Sequence, residues 1–140
     1  MGTKRCLEGL PQVLDLGKLE WLISMPFEGR GFFPLGPFAE RHGSWELTFH
    51  KQSRDLDRFV SVAVTQITPS HSYDVEVRAG AEDGKHFARR SVIELRVPSY
   101  ELLLYALKGK LEDSLKKAME IAEEIKPKDL VETYPFPRSA

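Results

Sequence analysis

Several things that would narrow the function are missing from this chain. It has one cysteine, Cys6, in 140 residues, which rules out an internal disulfide and a cysteine-based zinc site and points to a reducing compartment, the cytoplasm. It has almost no net charge: twenty Lys and Arg against twenty-one Asp and Glu give −1. No global field therefore draws it to nucleic acid or to an anionic membrane. Long hydrophobic runs are missing too. The segment around Trp21–Ile23 and Met25 falls far short of the roughly 20 apolar residues that cross a bilayer, and no signal-peptide core precedes it, so membrane insertion is not expected. The opening Met1-Gly2-Thr3-Lys4-Arg5-Cys6 approaches a myristoylation start but has Cys6 where Ser or Thr is required.

What is present suits one globular domain over residues 1–140: 41% hydrophobic and 29% charged residues, in a chain long enough for a single core. Residues 1–17 read as irregular or as a short helix opened by Pro11, and Leu19–Ile23 reads as a strand. Residues 26–38 hold three prolines, three glycines and four of the eight phenylalanines. Such a segment forms an irregular loop, and its rings at Phe27, Phe32, Phe33 and Phe38 must be buried either in the core or against another molecule.

Strand patterning follows. Trp45, Leu47 and Phe49 alternate with Glu46, Thr48 and His50, the signature of a half-buried strand. Phe59–Ile67 is apolar throughout, as in a strand covered on both faces. Tyr73, Val75, Val77 and Ala79 alternate with charged residues, Gly80–Gly84 supplies turn chemistry, and a return strand runs from about Phe87 to Val97. Ser99 is a suitable N-cap, with Glu101 placed to complement the helix dipole. From there Leu104, Leu107, Leu111, Leu115, Ala118, Ala122 and Ile125 fall within an arc of about 80° on a helical wheel. Lys126-Pro127 ends the helix and residues 127–140 read as an extended tail. The expected fold is α+β: an antiparallel sheet of about four or five strands packed against one long C-terminal amphipathic helix, residues 99–125.

Catalytic motifs are scarce. His42, His50, His71 and His86 contain no compact metal-binding pair. No Gly-x-Ser-x-Gly elbow is present, and Glu28-Gly29-Arg30-Gly31 lacks both the P-loop ending and a dinucleotide fingerprint, so it reads as a turn. Asp55 and Asp57 read as solvated carboxylates. Arg78, Arg90 and Arg96 interleave with Asp74, Glu76 and Glu94, which favours cross-strand charge pairing over a basic reading surface. No cofactor or metal is implied.

The leading expectation is a noncatalytic protein-protein interaction or assembly module. Its partner would be another protein or a second copy, docked on the loop phenylalanines (Phe27, Phe32, Phe33, Phe38) and on the distal helix face of Ala118, Met119, Ala122 and Ile125. A second possibility is a small-molecule-binding protein with an apolar pocket between sheet and helix, using His50 or Tyr73 as the polar handle. A third is a small enzyme with a histidine acid/base, His42 or His71.

Overall fold

The computed structural model describes residues 15–36, 38–41, 43–53, 56–67 and 72–133. Helix α1, Leu16–Ser24, is started by Asp15, whose carboxylate accepts the Lys18 N–H at 3.1 Å. The strand expected over Leu19–Ile23 is therefore a helix. The reason lies in the spacing: Leu19, Leu22 and Ile23 are all buried, and adjacent Leu22 and Ile23 cannot share one face of a strand but do share one face of a helix. A single 3₁₀ turn, Met25–Phe27, continues the chain.

The sheet has seven strands, more than the four or five expected. Four are long and form a meander: β3 Ser44–Ser53, β4 Leu56–Ile67, β5 Ser72–Glu82 and β6 His86–Val97. The additional ones are short edge pieces taken from segments rich in proline and glycine. β1, Phe33–Pro34, and β2, Ala39–Arg41, both pair antiparallel with β3, and β7, Glu132–Thr133, pairs with the first two residues of β6. The β5–β6 hairpin turns at Asp83, whose carboxylate accepts the N–H groups of Lys85 and His86 at 2.9 and 2.7 Å, while Gly84 takes φ +95°. Gly80, expected in that turn, instead lies within β5.

One face of the sheet is covered and the other is open. Leu47 and Phe49 on β3, Val60, Val62 and Val64 on β4, and Val75, Val77 and Ala79 on β5 are buried under the helices. The alternate residues of β4, including Phe59, Ser61 and Ala63, are only half-buried. The expectation that β4 is covered on both faces thus fails, because the helices form a single layer.

The expected long C-terminal helix is two helices. α2, Tyr100–Lys108, is capped by Ser99, and α3, Lys110–Glu124, begins after Gly109. At the junction the Gly109 N–H donates to the Ala106 carbonyl at 3.2 Å, and the Gly109 carbonyl accepts the Glu112 N–H at 2.9 Å. Leu103 and Leu107 of α2, and Leu111, Leu115, Ala118, Met119 and Ala122 of α3, are buried. The apolar stripe continues in phase across the junction, so periodicity alone does not reveal that the axis breaks there. Charge does mark it. Lys108 ends α2, and Glu112 with Asp113 opens α3, the polarity two separate helix dipoles favour. Among the described residues no helix is long and apolar enough to cross a membrane.

Candidate functional site

Of the eight residues put forward as a partner-binding surface, seven are buried in the isolated chain and only Phe33 is exposed, at 65%. Phe27 stacks on Phe49 of β3, with ring centroids 3.8 Å apart and planes 7° from parallel. Phe32 tilts against Phe27 at 6.1 Å and Phe38 against Trp45 at 6.0 Å. Ala118, Met119 and Ala122 belong to the main core, and Ile125 joins Leu56, Ala81, Ala88 and Leu130 in a smaller cluster. The small side chains of α3 lie within the fold, which packs this helix on β4, β5 and β6. The loop does leave a pit of about 280 Å³ between Phe27, Phe32, Phe33 and Phe49.

His50 and Tyr73, the polar handles of the pocket reading, are not brought together. Tyr73 is on the covered face at zero exposure, beside Tyr100 at a centroid distance of 6.1 Å. Burial, reinforced by Tyr100, raises its phenol above the ordinary 10.0. His50 pairs in register with Phe59 on the open face, where its Nδ1 lies 3.2 Å from the Asp57 carboxylate. The neighbouring hydroxyls of Thr48 and Ser61 bond each other at 3.0 Å, and among the described residues no hydroxyl hydrogen-bonds to the His50 ring. His42 and His71, the histidines of the enzyme reading, lie outside the described residues. No group of three His, Cys, Asp or Glu among the described residues is placed to hold a metal ion.

The open face carries a depression of about 660 Å³ whose floor includes Glu46, Thr65, Asp74, Glu76, Arg78 and Arg96. Its arginines are committed. Arg96 forms a two-pronged bond across to Asp74, Nε to Oδ1 at 2.6 Å and Nη2 to Oδ2 at 3.0 Å. Arg78 donates to Glu76 of its own strand at 2.7 Å. These bonds hold the Asp74 and Glu76 carboxyls below their ordinary values. Arg90 is not on this face. A bulge between the pairs Val77–Ile93 and Arg78–Ser91 shifts the phase of β6, so Arg90 sits opposite Ala79, on the helix side of the sheet.

The surface that sequence patterning missed is on α2. Leu102 and Tyr105 are exposed at 46% and 78%. Together with Leu95, Val97, Pro98 and Ala106 they border a groove of about 510 Å³ between α2 and β6, closed at one end by Lys108, Gly109 and Lys110. The signal was present in the sequence. Leu102-Leu103-Leu104-Tyr105-Ala106-Leu107 is apolar all round, and one buried stripe cannot use every side of it. Trp21 on α1 and Met25, which opens the 3₁₀ turn after it, are exposed as well.

The fold and these surfaces define a two-layer α+β protein with one polar sheet face and a helix-side apolar groove. Compared with known protein families, curated proteins and solved structures, the chain has no match.

Proposed function

We propose that the protein is a noncatalytic interaction module, holding another protein by the apolar surface that its own core leaves uncovered. The observation that carries this reading is the pair Leu102 and Tyr105, standing out of α2 beside an apolar groove that no described element fills. Phe33 at the edge of the loop and Trp21 on α1 add exposed rings of the kind that anchor interfaces. The test is affinity capture with the full chain, comparing wild type with Leu102→Ser/Tyr105→Ser. Both positions are exposed, so the double variant keeps its fold by circular dichroism and loses its partner. Failure of wild type to retain any protein through washing, together with a strictly monomeric state in sedimentation equilibrium, would remove the reading.

A second reading has its own observation: the phenylalanine-lined pit of about 280 Å³ is of a size to hold one small apolar molecule. Saturable thermal stabilisation by a hydrophobic compound, abolished by Phe33→Ser, would favour it over a protein partner.

A further inference from the structure

We infer that the groove between α2 and β6 receives an extended, acidic segment of another protein, which adds to the sheet as a strand alongside Ile93–Val97. This rests on the interaction reading and specifies its partner by chemistry.

The two edges of the sheet are asymmetric. One edge is largely covered: β3 is flanked by β2 at Ser44–Glu46 and by β1 at Phe49 and His50, with Pro34 opposite Phe49, and short strands and proline are devices that block edge pairing. The other edge is different. β7 covers only His86 and Phe87, and among the described residues the rest of β6 pairs with β5 alone. The bulge lies near Val92, so Ile93–Val97 is a regular stretch that, among the described residues, has no strand on its outer side.

The register of β6 suits an added strand. Leu95 and Val97 sit two residues apart on the helix side of β6 and form the wall of the groove that faces Leu102 and Tyr105. A strand laid along that edge places every second side chain beside Leu95 and Val97, where the α2 side chains meet it. A helical segment gives no such match, and it leaves the main-chain groups of β6 unpaired.

Charge favours an acidic occupant. The groove lining contains Lys108 and Lys110 and no carboxylate. Arg90, further along β6 on the same side of the sheet, is exposed. Among the described residues none of these three cations has an ion pair, unlike Arg78 and Arg96 on the opposite face. Asp or Glu in the added segment would supply the missing partners. A second copy of this chain fits less well, since pairing β6 with itself sets one cationic rim against another.

A displayed library of random decapeptides, selected on the full-length protein, tests this. The expected consensus has apolar residues at the positions beside Leu95 and Val97 and Asp or Glu at further positions of the same phase, on the helix side, where they reach Arg90 at one end and Lys108 and Lys110 at the other. The selected peptide should weaken by about tenfold or more with Tyr105→Ser, and again with Lys108→Glu/Lys110→Glu. On binding it should slow hydrogen exchange in Ile93–Val97. Methylating alternate backbone nitrogens of the peptide on the pairing side should abolish binding. Basic or helical consensus sequences, protection confined to the phenylalanine loop, or binding unchanged by Tyr105→Ser would overturn the inference. So would a dimer that dissociates with Tyr105→Ser, because the occupant would then be a second copy. A partner captured equally by wild type and Tyr105→Ser would also refute it while leaving the interaction reading intact; no partner at all would refute both.

Discussion

Arg58 is the residue whose role is most at odds with its type. It is 2% exposed, and its Nη1 donates to the carbonyls of Ala122 at 2.5 Å and Ile125 at 2.8 Å. A cation placed at the end of α3 answers both its terminal carbonyls and the negative end of its dipole. Among the described residues its Nε has no hydrogen-bond partner, the Glu123 carboxylate being 3.9 Å away. Truncating Arg58 to Ala strands the buried Ile125 carbonyl and leaves that of Ala122 with only the Ile125 N–H at 3.4 Å, and the expected loss is about 2–3 kcal/mol in urea unfolding. Glu123→Gln removes this long contact and a partly exposed pair with Lys51 at 2.5 Å, and is expected to lose less than about 1 kcal/mol. A loss below 1 kcal/mol for Arg58→Ala would mean that water satisfies the helix end. The sequence carried a sign of this, because Arg58 has the same phase as Val60, Val62 and Val64. An arginine in the buried phase of a strand needs a buried acceptor. The acceptors are main-chain carbonyls 64 and 67 residues away, and side-chain patterning has no means of locating those.

Gly80 makes a comparable point about close approach. A Cβ there would run into both the Phe59 ring and the Ala88 carbonyl oxygen. Gly80→Ala is therefore expected to destabilise by about 1–3 kcal/mol in thermal unfolding. Adding Phe59→Ala should not restore the loss, since the Ala88 backbone cannot move aside without disturbing the β5–β6 ladder. Full recovery in the double variant would show that the ring alone sets the constraint. As a sequence feature, a glycine three residues before Asp83-Gly84 looks like part of a turn. Only the packing of β4 and β6 on either side shows it to be a strand position.

Among the elements, the junction at Gly109 determines where the groove lies, because α2 must stop for Lys108 and Lys110 to close its end. Proline scanning discriminates a real break from a continuous helix. Lys110 is the first residue of α3, a position where proline is accommodated, so Lys110→Pro is expected to cost less than about 1 kcal/mol. Lys117→Pro, in the interior of α3, is expected to cost about 3 kcal/mol or more. Equal, large losses at the two sites, measured by chemical denaturation, would mean that the helix runs straight through Gly109. The four long strands and the start of α2 were legible in the sequence because each rests on local alternation or a local cap. β1, β2 and β7 were not legible. They are two- or three-residue pieces held by their neighbour in the sheet, and they follow from β3 and β6 offering edges, not from any propensity of their own.

Taken as a whole, the molecule divides its titratable groups between two faces, and its response to pH should reflect both. On the open face Asp74 and Glu76 are held below their ordinary values of 3.8 and 4.5 by Arg96 and Arg78, and Asp83 is held below 3.8 by the His86 and Lys85 N–H groups in the hairpin turn. A carboxyl depressed in the folded state stabilises fully above its unfolded value and loses that contribution as the pH falls through the folded one. On the covered face Tyr73 is raised above 10.0 by burial. It favours the fold in its neutral form, and its contribution is lost as the pH climbs past its unfolded value. Thermal midpoints followed by circular dichroism should therefore form a plateau between about pH 5 and 9, falling on either side. Asp74→Asn/Glu76→Gln should lower the plateau slightly and flatten the acid limb without changing the alkaline one, whereas Tyr73→Phe should delay the alkaline decline alone. Because the acidic groups are largely solvent-facing, 1 M salt should also flatten the acid limb. The alkaline limb, tied to a buried phenol, should respond much less to salt. A single variant that altered both limbs alike would show that the two faces are coupled through the sheet and do not titrate independently.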